Sequence, residues 1–349
     1  MMAMFSRSPK VRVEVAAKTD QGRTRDHNED RFLVADLTRN SAAPPLQPDV
    51  RPHEIGPRGT LLVVADGMGG AAAGELASQM ATDTIYAHLA KTWHDDDATP
   101  QRFAYRLKEA VEVANASIHA HARAHPEVRG MGTTTTAAGV LNDHLYLTQV
   151  GDSRAYLIRG SEAHQLTKDQ SLMQRLVEAG ELTEEEAAQS ERRNIILQAL
   201  GPDPKVKVDL THQELRRGDI LVLCSDGLSG QVKKEEIARI VTSAPDLASA
   251  TDKLIALANE RGGPDNITVV VARFDGEGLR FSGGGTPEDV GHQVYPLIDT
   301  ETSTEPVPVY KGSRPPVPRS QDARNRTRTI VLAALAVLAA LAWYLTRAK

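Results

Sequence analysis

The sequence has little of three features that mark particular classes of protein. It contains one cysteine, Cys224, so no internal disulfide can form, and this residue lies in the apolar run ILVLC, which is typical of a buried side chain. Aromatic residues make up only 4% of the chain, and a net charge of −5 provides no general basic surface. These absences predict a protein of a reducing compartment that has no nucleic-acid partner.

The two ends of the chain differ in hydropathy. The start, MMAMFSRSPKVRVEV, has no apolar stretch long enough for a signal-peptide core, so the body is expected in the cytoplasm. Residues 330–345 are all Ile, Val, Leu, Ala, Trp or Tyr. With its flanking threonines this run reaches 329–346, at the lower end of the roughly 17 to 25 residues of a membrane-spanning helix. A buried terminal helix is the alternative.

The flanks of this apolar run favour a membrane anchor. The run has no polar stripe, Trp343 and Tyr344 lie where interfacial aromatic residues are usual, and three arginines precede it. The sequence therefore predicts a single-pass C-terminal anchor at 329–346 in the cell membrane, with the body on the cytoplasmic side.

Composition divides the rest of the chain into a body and a linker. Residues 276–328 are rich in Gly, Pro, Ser and Thr and show no regular period, so they are predicted to be a disordered linker. Residues 11–275 alternate strand-like runs such as TLLVVAD with helical segments, one of which opens at Thr99 and Pro100. The predicted fold class is α+β, with a central sandwich of two mainly antiparallel sheets flanked by helices.

Acidic residues stand at the ends of four apolar runs, where an uncompensated buried charge is unfavourable. They are Asp66 in ADGMGG, Asp152 in VGDSRAY, Asp226 in CSDG and Asp265 in GGPDNIT. Carboxylate and carbonyl oxygens favour Mg²⁺ or Mn²⁺, and these runs lack the His and Cys pairs that zinc prefers. The pattern predicts a shared cation.

Two histidines offer a different metal site. His121 and His125 lie four residues apart on a predicted helix, a spacing that allows both to ligate one ion. No third ligand lies nearby in the sequence, and the flanking residues are mostly alanine. A solvated helix face is the favoured interpretation.

Six motifs occur along the body in one order: R-x-x-x-E-D at 25–30, D-G-M-G-G at 66–70, G-M-G-T-T at 130–134, G-D-S-R at 151–154, S-D-G at 225–227 and D-N-I-T at 265–268. The ordered set resembles the bacterial branch of the metal-dependent serine/threonine protein phosphatases, the PPM family or protein phosphatase 2C type. The resemblance covers about residues 13–274. It implies a β-sandwich with two Mn²⁺ or Mg²⁺ ions at one end and a weaker third ion.

The resemblance also implies which residues hold these ions. Asp66 would bridge the metal pair, and the carbonyl of Gly67 would complete the ligands of one ion. Asp226 and Asp265 would hold the other ion. Asp152, together with Asp226, would hold the weaker third metal.

Further roles follow from the same resemblance. Arg25 is similar to the residue that binds the substrate phosphate, while Glu29 and Asp30 would act on the metals through water. Residues 167–201 resemble the mobile flap of bacterial relatives. Met68 stands where animal relatives have a histidine proposed as general acid, so the proton donor is left unassigned.

The implied reaction is hydrolysis of phosphoserine and phosphothreonine in proteins by direct attack of a metal-bridging water. The partners implied are phosphoproteins and the bacterial Ser/Thr kinases whose action the enzyme would oppose. A non-catalytic phosphoprotein-binding module of the same fold is an alternative, but the presence of every metal carboxylate argues against it. A two-metal nuclease would need a basic surface, which the composition lacks.

Overall fold

Two six-stranded sheets form the centre of the computed structural model, which describes residues 10–42, 52–94, 99–190, 192, 194–281 and 290–297. The strands are β1 (Arg12–Asp20), β2 (Arg31–Asp36), β3 (Ser41–Ala42), β4 (His53–Glu54), β5 (Thr60–Ala65), β6 (Gly67–Met68), β7 (Gly132–Thr133), β8 (Thr135–Leu141), β9 (His144–Val150), β10 (Arg154–Arg159), β11 (Glu162–Gln165), β12 (Asp209–Glu214), β13 (Arg216–Arg217), β14 (Ile220–Cys224), β15 (Ile267–Asp275) and β16 (Arg280–Phe281). One sheet has the order β11-β10-β14-β15-β1-β4 and the other β12-β9-β8-β5-β2-β3. All neighbours in both sheets are antiparallel.

Seven α-helices lie in the described residues, and several of them begin at capping residues that the sequence carries. The helices are α1 (Ala71–Thr92), α2 (Pro100–Ala124), α3 (Leu172–Glu178), α4 (Glu184–Gln189), α5 (Asp226–Ser229), α6 (Lys234–Ser243) and α7 (Leu247–Glu260). The side chain of Thr99 accepts a hydrogen bond from the amide of Arg102, which confirms the predicted start of α2. Thr183 and Glu186 form a capping box at the start of α4.

Strand β5 shows how the layers are arranged, because its two faces are buried in different clusters. Leu62 and Val64 pack into the apolar layer between the sheets. Leu61 and Val63 pack into the layer beneath α1 and α2. A third layer separates the other sheet from α6 and α7. The order is helices, sheet, sheet, helices, so the predicted sandwich of antiparallel sheets flanked by helices is confirmed.

The range predicted to be linker begins with segments that contact the body. Strand β16 pairs with β13. Residues 290–297, here called the edge segment, lie along the outer edge of β12 through backbone hydrogen bonds of 2.9 and 3.0 Å. The ring of Tyr295 meets the rings of Tyr146 and His212 nearly edge-on, at centroid distances of 5.4 and 5.1 Å. The structure therefore extends the packed domain beyond residue 275.

The anchor predicted at 329–346 lies outside the described residues. Within the described ranges, no helix is both long enough and apolar enough to cross a membrane.

Candidate metal centre

Five predicted site residues lie at the ends of strands, all at the same end of the sandwich; this end is called the site edge below. Asp30 precedes β2 and Asp66 follows β5, and these strands are antiparallel neighbours, so the start of one lies beside the end of the other. In the second sheet Asp152 lies just before β10, Asp226 just after β14 and Asp265 just before β15, and β14 pairs with both other strands. The charges of the other four carboxylates all act on Asp66. The structure thus brings the five residues together.

The protonation of these carboxyl groups reflects their surroundings. Burial is the largest cause of a raised pKa, to about 7 for Asp30, about 8 for Asp152 and about 6 for Asp226. Burial also raises the pKa of Asp66, and neighbouring carboxylates add to the effect at all four residues. The site is therefore short of positive charge.

Unpaired oxygen atoms test whether the site edge fits a cation. One buried Oδ1 atom in each of Asp30, Asp152 and Asp226 has no hydrogen-bond partner among the described residues. Buried carboxylate oxygens without partners are unfavourable unless a cation or donor meets them. Within the described part of the chain, no three acidic, His or Cys side chains lie close enough together to form a ready-made ligand cluster. The donor chemistry fits Mn²⁺ or Mg²⁺.

Two glycines allow the backbone to pass closely beside Asp66. A Cβ atom on Gly67 would collide with the carbonyl oxygen of Gly74 and lie 2.6 Å from that of Glu29. A Cβ atom on Gly74 would collide with Oε2 of Glu29. The backbone atoms around residue 67 therefore require glycine there, which explains part of the D-G-M-G-G motif, whereas at residue 74 the Glu29 side chain could move aside.

The R-x-x-x-E-D motif contacts the D-N-I-T motif. Nη2 of Arg25 is 2.6 Å from Oδ2 of Asp265, and this hydrogen bond is the largest cause of the raised pKa of Arg25. The side chain of Arg25 is 49% exposed, so it remains accessible from solvent. The residue predicted to bind phosphate thus contacts a residue predicted to bind metal.

Two polar side chains outside the predicted set position the acidic residues. Oδ1 of Asn266 accepts the amide hydrogen of Glu29 at 2.8 Å, and its Nδ2 donates to two carbonyl oxygens of loop 21–27 at 2.9 and 2.8 Å. Burial is the main cause of the raised pKa of Glu29. Oγ of Ser225 donates to Oδ2 of Asp30 at 2.7 Å. The sequence signal for both is adjacency to a predicted ligand, in D-N-I-T and S-D-G.

The arginine of G-D-S-R ties the predicted flap to the site. The guanidinium of Arg154 donates hydrogen bonds of 2.7 to 3.1 Å to both carboxylate oxygens of Asp169. The amide of Gly151 donates to Oε1 of Gln170 at 3.0 Å. The start of the flap is therefore fixed to the turn that carries Asp152. Asp169 had no motif to identify it.

Comparison with known proteins identifies the family. Residues 45–268 match the family model described as Protein phosphatase 2C. Serine/threonine protein phosphatase PstP of Mycobacterium tuberculosis (strain ATCC 25618 / H37Rv) is 40% identical over 257 residues, which are 74% of this chain and 44% of that protein. Serine/threonine phosphatase stp of Listeria monocytogenes serovar 1/2a is 36% identical over 260 residues, 74% of this chain and 94% of that protein. The chain belongs to the protein phosphatase 2C family.

A solved structure agrees with this assignment. The crystal structure of the catalytic domain of PstP in complex with two manganese ions has a TM-score of 0.60, with 38% identity, and the match covers 76% of this chain and 99% of that chain. The chain spans less than half the length of the PstP protein from M. tuberculosis. The predicted family is confirmed, and the matched region has the fold of that catalytic domain.

Proposed function

We propose that this chain hydrolyses phosphoserine and phosphothreonine in proteins with two Mn²⁺ or Mg²⁺ ions. The observation that carries the proposal is the set of buried carboxylates at the site edge, three of which have an unpaired oxygen in the described residues. The manganese ions in the related PstP structure support the same metal. The names of the relatives support protein substrates.

The proposed ligands are the residues that the motifs single out. Asp66 and the Gly67 carbonyl, with Asp226 and Asp265, would hold the metal pair, and Asp152 with Asp226 would hold a weaker third ion. When bound, the ions would supply a water molecule of lowered pKa and positive charge for the phosphoryl oxygens. The raised pKa values of the metal-free carboxyls imply that metal binding releases protons.

The chain itself supplies phosphate binding and orientation. The planar guanidinium of Arg25 can donate two parallel hydrogen bonds to phosphoryl oxygens, and its exposure leaves it reachable by a peptide. Asp30 and Glu29 are next to the proposed ligands in the structure. The side chain of Asp30 accepts a hydrogen bond from Ser225, and the amide of Glu29 donates one to Asn266. Asp30 and Glu29 would orient water around the metals, as the resemblance implies.

A manganese titration of activity on a phosphothreonine peptide tests the proposal. Phosphate release should rise with manganese, saturate, and disappear in EDTA. A protein that binds the phosphopeptide but releases no phosphate at any manganese concentration would support the non-catalytic binding module instead.

We also propose that residues 329–346 hold the phosphatase at the cell membrane, with its domain in the cytoplasm. The support is the uninterrupted apolar run and its interfacial Trp343 and Tyr344. Its substrates would then be phosphoproteins at or near that membrane, phosphorylated by a Ser/Thr kinase. The full chain should sediment with membranes and require detergent for release, and a chain ending at residue 328 should not. Full chain in the soluble fraction would overturn the anchor.

A further inference from the structure

A cavity of about 470 Å³ opens between the end of α2 and the residues that close the flap. Three of its lining side chains carry nitrogen donors: His119, Arg123 and Arg129. Gly130 and Gly201 form part of its wall. None of the five belongs to the proposed metal centre, and the cavity is within the size range of ligand pockets, roughly 300 to 1,000 Å³.

The two arginines of this cavity are available to a ligand. Arg123 and Arg129 are exposed, and neither forms an ion pair with a carboxylate in the described residues. The acidic neighbour, Glu127, has its Oε1 atom 3.0 Å from Nδ1 of His125 instead. Two arginines without an ion-pair partner in the described residues therefore line the cavity, in a chain whose net charge is −5.

One wall of the cavity is continuous with the metal centre. Nδ1 of His119 donates to the carbonyl oxygen of Gly201 at 2.8 Å, which fixes the imidazole at the end of the flap. The preceding residue, Leu200, exchanges backbone hydrogen bonds of 3.1 and 2.9 Å with Thr133. Oγ1 of Thr133 in turn donates to the carbonyl oxygen of Asp66 at 2.8 Å. These hydrogen bonds connect the cavity wall to the backbone of Asp66.

The opposite wall lies beside the D-G-M-G-G loop. A Cβ atom on Gly69 would be 3.2 Å from the carbonyl oxygen of Gly130, so the two backbones are in close contact. The cavity wall at Gly130 therefore lies next to the loop that follows Asp66.

We propose that the cavity binds an acidic side chain of the substrate peptide, close in sequence to the phosphorylated residue. This inference rests on the proposed phosphatase function and narrows it to substrates with glutamate or aspartate beside the phosphosite. Arg123 and Arg129 would bind the carboxylate through their planar guanidinium groups. His119 would supply the fixed side of the pocket.

Peptide kinetics test the preference. The double variant Arg123→Gln/Arg129→Gln should lose roughly five- to tenfold in kcat/KM, through KM, on a phosphothreonine peptide flanked by glutamates. The same peptide flanked by glutamines, and a small phosphoester, should be hydrolysed as by the wild type. Lys91→Gln/Lys253→Gln removes the same charge from exposed positions elsewhere and should leave both peptides unaffected.

Two kinetic outcomes would overturn the pocket. One is an equal loss on both peptides in the arginine variant. The other is the same loss in the lysine variant, because this would show that overall charge alone attracts acidic peptides.

Binding without metal separates the pocket from the catalytic proposal. In EDTA, a glutamate-flanked peptide without phosphate should shift the amide NMR signals of Gly130 and Gly201 in the full chain, and not in the arginine variant. If such shifts occur in a protein that hydrolyses no phosphopeptide, the cavity binds acidic side chains as proposed, and the proposed phosphatase function is wrong. Hydrolysis with neither shifts nor a preference for acidic peptides would overturn the pocket alone.

Discussion

Nη2 of Arg25 lies 2.6 Å from Oδ2 of Asp265, although the two residues are 240 positions apart in the sequence. The guanidinium offsets part of the repulsion among the buried carboxylates at the site edge. A metal ion that takes the same oxygen must therefore compete with Arg25. Metal binding at this oxygen would therefore free the arginine to bind phosphate.

Replacing Arg25 by alanine is expected to separate phosphate binding from metal binding. The variant should lose about 1.5 to 3 kcal/mol in kcat/KM, through a higher KM and a lower kcat, because a charged hydrogen bond to phosphate is removed. Manganese should bind at least as tightly, since Asp265 has lost its competitor. Kinetics and calorimetric titration measure the two effects. Normal KM with lost manganese binding would contradict the role of Arg25.

Asn266 is expected to be a positioning residue whose loss is visible in stability. Asn266→Ala removes three side-chain hydrogen bonds of 2.8 to 2.9 Å. At about 1 kcal/mol each, the free energy of unfolding should fall by about 3 kcal/mol. Activity should fall too, because the loop that Asn266 holds carries Arg25 and Glu29. Urea unfolding measures the change, and wild-type stability would contradict this role.

The metal-free protein should lose stability as the pH rises. Asp30 and Asp152 have folded-state pKa values of about 7 and about 8, against an ordinary value of 3.8. The native state therefore binds protons more tightly than the unfolded state, and stability falls between about pH 4 and pH 8. Melting in EDTA should show a Tm that decreases across this window, less steeply for Asp152→Asn. A constant or rising Tm would contradict the raised pKa values of these buried carboxyl groups.

The edge segment should stabilise the domain. A chain ending at residue 275 loses the contacts of Tyr295 with Tyr146 and His212, and a chain ending at residue 297 keeps them. At about 0.5 to 1.5 kcal/mol for each aromatic pair, Tyr295→Ala should lower the free energy of unfolding by roughly 1 to 3 kcal/mol. Val294→Ala is the matched control, because that side chain is 68% exposed. Equal stability of Tyr295→Ala and Val294→Ala would show that the aromatic contacts of Tyr295 add nothing to the stability of the domain.

Local signals predicted much of the fold. The long apolar strands and the cap at Thr99 lie where the sequence placed them, because each depends on residues a few positions apart. Strand β12 was missed since its sequence, DLTHQE, has one aliphatic residue. Its pairing depends on β9 and on the edge segment, which are distant in the chain.

The site was predictable as a list of residues but not as an arrangement. The motifs singled out each aspartate, because each stands between an apolar strand and a turn. The ion pair of Arg25 with Asp265 joins two separate motifs. The ion pair of Arg154 with Asp169 joins a motif to a residue that belongs to none. Such contacts depend on where strand pairing places the loops between the strands, which no local pattern encodes.

The central claim is that the buried carboxylates hold the catalytic metals. Its most direct test is turnover of a phosphothreonine peptide by Asp265→Asn and Asp226→Asn across a manganese series, with folding checked by melting. The exposed Asp252→Asn serves as the control and should keep wild-type turnover. Both site variants should be inactive at every manganese concentration, because nucleophile activation and charge neutralisation both depend on the metals. Wild-type turnover by a folded Asp265→Asn protein would contradict the assigned metal centre.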